Sequence, residues 1–146
     1  MVFEKRLSVF VLKDNKGKVL LQKKGDDTKY SGCWGFFGGM IKNSETPKET
    51  AIREAKKELG IVLNKPKFFR RYELPGSDGE LHEYFVFTSS LPKGIIKSKK
   101  KDSENIGLFT FDDAMSMMFI EHEIVILEDL FDKRQKTGFI EVEKKT

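Results

Sequence analysis

Arg53, Glu54 and Glu58 are the residues of this 146-residue chain whose types and spacing can do chemistry. Glu58 follows Glu54 by four positions, slightly more than one helical turn, so the two carboxylates project from one face of a helix. Two acids stacked in this way repel each other unless a cation lies between them. A hard divalent ion such as magnesium takes oxygen ligands and shares its site with phosphate groups, so the pair suits metal-assisted phosphoryl chemistry. Alone, a glutamate pair at this spacing marks a solvated helix face. The residues around it decide the matter.

The helix that must carry the pair is well marked. Thr46 suits the N-cap, Pro47 the first helical position, and Glu49 the acid of a capping box. Ala51, Ile52, Ala55 and Leu59 recur at helical spacing as a narrow apolar stripe. Lys56 and Lys57 complement the C-terminal dipole, and Gly60 is the stop. The expected helix is 47–59. Upstream, residues 33–37 read as a short aromatic strand ending at the pair Gly38-Gly39, taken as a glycine hairpin. Residues 7–12 and 19–23 read as a strand hairpin across the turn Asp14-Asn15-Lys16-Gly17. Residues 61–63 could start another strand. Residues 67–74 and 81–89 form two more, joined by the turn at 75–79. A charged loop covers 97–102 and a short strand 108–111. A short helix runs from Asp112-Asp113 through Met118, and an amphipathic helix covers 121–133. The fold class is α/β (α+β): a mixed central sheet with helices on both faces, in one domain spanning residues 1–146.

Composition agrees with a globular domain. The apolar fraction is 38% and the charged fraction 34%, which excludes a disordered chain. The 27 cations and 23 anions leave a net charge of +4. That balance fits an anionic small molecule and is too mild to argue for a nucleic-acid partner. The single cysteine, Cys33, cannot form an internal disulfide, which points to a reducing compartment. No apolar run reaches membrane length, so the expected location is cytoplasmic. Cys33 and the methionines Met115, Met117 and Met118 are expected to fill core space, and Trp34 to pack as core rather than stack on a base. His82 and His122 have no zinc spacing and are expected to be structural or surface residues. The run Lys97-Ser98-Lys99-Lys100-Lys101 reads as a solvated loop.

Residues 39–61 resemble the sequence box of the Nudix hydrolase family. The matches are Gly39, Glu45, Arg53, Glu54, Ala55, Glu58, Gly60 and Ile61, all at the family's fixed spacings. The strand order on either side also resembles the family, and so does the lead-in Trp34-Gly35-Phe36-Phe37-Gly38-Gly39, although a proline is more usual where Phe37 stands. The resemblance implies an α/β/α sandwich and magnesium-dependent hydrolysis, with manganese as an alternative, of a diphosphate bond in a nucleoside diphosphate linked to another group, a small nucleotide. A MutT-like nucleoside-triphosphate hydrolase is the default. No proline or tyrosine stands at a set distance after the box, which disfavours ADP-ribose and dinucleoside polyphosphates.

The resemblance also implies roles. Glu54 and Glu58 would hold the metal. Gly38 and Gly39 would let backbone amides approach phosphates. Arg53 and Glu45 would orient the box as an ion pair, and Gly60 would close it. One of Glu54 and Glu58, or an acid from another loop such as Glu104, would take the proton of the attacking water. One position departs from the family: Lys57 stands where the first of two adjacent glutamates is usual. A protonated lysine cannot ligate a metal. Its charge at about 4 Å is worth roughly 4 kcal/mol at intermediate dielectric, enough to compete with a second cation. Lys57 keeps one rival open, a nucleotide-binding or regulatory module with little turnover; the basic pI fits a third reading, a hydrolase of RNA 5′ ends. Monomer and homodimer are both compatible with the sequence.

Overall fold

A computed structural model describes residues 3, 5–25, 30–76, 79–93 and 105–132. The chain runs β1 (Lys5–Lys13), β2 (Val19–Lys23), β3 (Trp34–Gly35), β4 (Phe37–Met40), α1 (Pro47–Leu59), β5 (Lys67–Pro75), β6 (Leu81–Ser90), β7 (Ile106–Phe109), α2 (Phe111–Met115) and α3 (Ile124–Leu130). A 3-10 turn, Glu121–Glu123, leads into α3. The strands form a mixed sheet in the order β3-β2-β1-β6-β5, with β4 also beside β1 and β7 beside β2.

β1 is the axis of the fold. It pairs in parallel with β6 from Lys5↔His82 to Lys13↔Ser90, and antiparallel with β4 from Leu7↔Met40 to Phe10↔Phe37. Its apolar run is continuous because both faces of the sheet are covered. Val9 and Val11 enter one core with Val19, Leu21, Tyr84, Val86, Ile126 and Leu127. Phe10 and Leu12 enter the other with Leu20, Phe37, Ala51, Ala55 and Leu59. Strand alternation thus sends neighbouring residues to opposite layers, α1 on one side and α2 with α3 on the other. Each fully buried Phe, Leu or Ile contributes about 1.5–3 kcal/mol.

Several expectations change in detail. The β1–β2 hairpin forms its turn, with Asp14 Oδ1 accepting from the Lys16 and Lys18 amides at 2.9 and 2.8 Å. Its only paired register is Lys13↔Val19, because β4 takes the side of β1 beyond it. Gly38 and Gly39 are not a hairpin but interior residues of β4, opposite Val9 and Ser8. The aromatic strand is broken at Phe36, so β3 pairs with β2 and β4 with β1. Residues 61–63 join no strand. α2 ends at Met115 rather than Met118. Only Ala114 of its short face is buried, and Met115 and Met118 are exposed while Phe119 and Ile120 fill the core instead. Cys33 is half-buried rather than core. Ile52 is turned outward, and Thr50 and Glu54 complete the buried face of α1. Trp34 packs edge-on against Phe109, ring centroids 4.9 Å apart, in keeping with its core reading.

Candidate active site

α1 is fixed at both ends by the residues expected to fix it. The Thr46 side chain accepts from the Glu49 amide at 3.1 Å, and Glu49 accepts from the Thr46 amide at 2.9 Å. Such a cap contributes about 1 kcal/mol. Gly60 closes the helix at φ 69°, a left-handed conformation glycine adopts without strain. The Ser8 hydroxyl donates to the Pro47 carbonyl at 2.7 Å and seats the first turn of α1 on β1.

Arg53 ties this helix to the chain before it. Its Nε and Nη2 donate to the two oxygens of Glu45 at 2.6 and 2.9 Å, a fork matched to a carboxylate. Nη2 also donates to the Met40 carbonyl at 3.1 Å, and Nη1 to Glu54 Oε2 at 2.7 Å. Thr50 Oγ1 and the Lys42 amide donate to Glu45 Oε1 at 2.7 and 3.1 Å. With Arg53 and Thr50 beside it, Glu45 keeps its carboxyl down at about 2. Arg53 is held correspondingly more basic than usual by Glu45. The expected Arg53–Glu45 pair is therefore present. Thr50 is the member that sequence reasoning passed over; its place five residues after Glu45, on the inner face of α1, was the available signal.

Glu54 lies beneath this clamp with its side chain 7% exposed. It occupies the space a side chain at Gly39 would need, and a Cβ at Gly38 would strike the Ser8 carbonyl. Both glycines are thus required by close packing, and both line the same groove as Glu54 and Glu58. That open groove, about 730 Å³, is also lined by Ile41, Lys42, Arg53 and Lys57. Burial, then the neighbouring Glu54, pushes the Glu58 carboxyl up, with Lys24 and Lys57 pulling the other way. Glu54 and Glu58 therefore share one face and crowd each other, as their spacing predicts. Lys57 lies exposed on the flank of that face.

Hard oxygen donors crowded into mutual repulsion are the donor chemistry that suits magnesium. Among the described residues no group of three or more His, Cys, Asp or Glu converges as a metal cage. Glu104 and residues 97–101 lie outside the described residues. Among those described, no helix is long and apolar enough to cross a membrane.

A mixed sheet between helical layers, with an Arg-Glu clamp locking a two-carboxylate helix face over paired glycines, is a Nudix arrangement. The chain belongs to this family: it matches the NUDIX domain over residues 4–130. It is 29% identical over 115 residues to an ADP-ribose pyrophosphatase of Methanocaldococcus jannaschii, covering 78% of this chain and 65% of that protein. It is 28% identical over 75 residues to a CTP pyrophosphohydrolase of Escherichia coli, covering 50% of this chain and 56% of that one. The chain thus spans less than two thirds of either relative. A mutT/nudix family protein from Listeria innocua shares the fold, with a TM-score of 0.78 at 18% identity over 94% of this chain and 98% of the other.

Proposed function

We propose that the protein is a magnesium-dependent nucleotide pyrophosphohydrolase that cleaves a diphosphate bond in a small nucleotide, with manganese as a substitute ion. The observation that carries this reading is the crowding of Glu54 and Glu58 on one face of α1, in a groove floored by Gly38 and Gly39. The ion, when bound, would offset phosphate charge and lower the pKa of a coordinated water.

The chain's own residues supply the rest. Glu54 and Glu58 hold the ion through carboxylate oxygens. Arg53 donates to Glu54 Oε2 and so orients that carboxyl group. Glu58 stands beside the ion and is one candidate to take the proton of the attacking water. With that proton removed, the water oxygen would bond to phosphorus as the bridging P–O bond breaks, its electron pair leaving on the departing phosphate oxygen. Glu45 and Arg53 position the box. Glu104 stays a candidate for the base.

The relatives' names support nucleotides as the substrate class. Because one is named for ADP-ribose, diphosphates bearing a second organic group belong in the test panel with the triphosphates, despite the missing proline and tyrosine marks. A phosphate-release assay with magnesium across that panel tests the reading. Turnover lost in Glu58→Gln supports it. Tight nucleotide binding with no turnover of any member would instead favour the regulatory module. Lys57 in the metal groove is the observation behind that second reading.

A further inference from the structure

Lys42, Arg53 and Lys57 are the cations that line the metal groove among the described residues, and their charges are engaged differently. Arg53 is committed to the protein. Its Nε and Nη2 grip Glu45 at 2.6 and 2.9 Å, Nη2 also reaches the Met40 carbonyl at 3.1 Å, and Nη1 reaches Glu54 at 2.7 Å. Both of its ion pairs are with carboxylates of this chain, so little of its charge is left for a bound anion. Lys57 is the opposite case. It is exposed, and among the described residues no ion pair or side-chain hydrogen bond engages its ammonium. Lys42 is equally unengaged through its side chain, but it is carried on the turn before α1, whereas Lys57 is carried on the capped helix itself.

The position of Lys57 on α1 decides what that charge can meet. It stands four residues after Arg53 and three after Glu54, so it continues their strip of the helix by one turn, beside Glu58. The acids lining the groove among the described residues are Glu54 and Glu58, which together carry the charge of one divalent ion. Glu45, behind them, is matched by the Arg53 fork. A second divalent ion here would stand beside an ammonium, a like charge that cannot ligate it. A phosphate oxygen in the same place would meet a compact cation with three rotatable N–H donors.

We propose that Lys57 is a substrate-binding residue that stands in for a second ion: the groove takes one divalent ion at Glu54 and Glu58, and the Lys57 ammonium donates to an oxygen of the phosphate chain that shares this ion. The inference rests on the nucleotide reading above and names the part of the substrate that this side chain holds, the phosphates rather than the base. Because Lys57 has no partner in the protein, its replacement disturbs no contact that holds the fold, and its effect is read in ligand binding alone. The contact lies in an open, solvated groove, so its strength falls as salt is added.

Two binding measurements test it beside the turnover panel. In the first, magnesium pyrophosphate is titrated by calorimetry at low salt. Lys57→Gln should bind it roughly tenfold more weakly than wild type, about one charge-assisted hydrogen bond's worth, with an unchanged melting temperature. Lys57→Arg, which keeps the charge, should stay within about threefold of wild type. In the second, manganese is counted by the loss of its free-ion EPR signal with an α,β-methylene nucleoside triphosphate present. Lys57→Glu should hold one more manganese per chain than wild type. Pyrophosphate binding unweakened in Lys57→Gln overturns the proposal, and so does an equal manganese count in wild type and Lys57→Glu. If both binding results hold in a protein that turns over no member of the panel, the phosphate contact stands and the hydrolase reading fails.

Discussion

Glu54 and Glu123 are both buried acids set against the same stretch of chain, residues 34–40, yet their surroundings differ. Glu54 fills the space above Gly39, is paired with Arg53, and lies beside a second acid. Glu123 has one backbone amide and a distant lysine, in a cavity walled by rings. A paired acid beside another acid keeps a demand for a cation. A lone buried acid keeps a hydrogen-bonding preference. The first arrangement suits charge neutralisation of a polyphosphate, whereas the second anchors the break between β3 and β4 to the turn before α3.

Removing the second acid is the strongest way to break this division. Glu58→Gln should lower turnover by about 10²–10⁴-fold in a phosphate-release assay. The same variant should melt no lower than wild type without magnesium, and somewhat higher, because the charge it removes is crowded by Glu54. A fold that collapses, or a rate that survives, would put the chemistry elsewhere.

The clamp is next in size. Arg53→Ala leaves Glu45 and Glu54 without their shared partner, and charged hydrogen bonds of this kind contribute about 1.5–3 kcal/mol. At roughly 2–4 °C per kcal/mol for a chain this long, thermal melting should drop by about 3–12 °C. Arg53→Lys should recover part of the stability and little of the turnover, because a lysine cannot make the fork to Glu45. Full recovery with lysine would show that charge alone is needed. Smaller still is Lys57. It is exposed, so its field is screened, and Lys57→Glu should lower the half-saturating magnesium concentration by about three- to tenfold. An unchanged metal requirement and rate would remove Lys57 from the site.

How legible these two regions were in the sequence differs for a physical reason. Everything that builds the metal groove except β1 lies within residues 38–60, where helical period, capping and a stop glycine are local signals. Thr46, Pro47, Glu49 and Gly60 do in space what their types imply. Even there, Gly38 and Gly39 were misread as a turn, because what demands them is contact with Ser8 and Glu54, which no spacing reveals. The cavity gathers β1, the chain after β2, β6 and the 3-10 turn before α3, and its ring residues carry no common period. Glu123 was one acid in a stretch read as continuous amphipathic helix, and His122 passed as structural. Phe36 N–H, the atom that gives Glu123 its orientation, is exposed to it only by the break between β3 and β4. The methionines misled for the converse reason: hydrophobic type predicts burial, but α2 is too short to bury more than Ala114.

The subtlest contrast is in pH. Glu45 has a folded pKa of about 2, below its unfolded 4.5, so the stability it contributes is complete above 4.5 and disappears as pH falls from 4.5 toward 2. Burial pushes Glu123 the other way, against the Phe36 amide and Lys24, so its contribution is complete below 4.5 and fades as pH rises through its elevated folded value. The charged and titratable groups facing it are Lys24, Lys5, His82 and His122. Melting temperatures between pH 2 and 6 should therefore separate two variants with opposite trends. The deficit of Glu45→Gln relative to wild type should shrink as the solution is acidified. The advantage of Glu123→Gln should appear only as the solution is made less acid, since glutamine retains the Phe36 bond without acquiring charge. Parallel curves for the two variants would mean that the two acids experience the same surroundings, and the division between groove and cavity would lose its electrostatic basis.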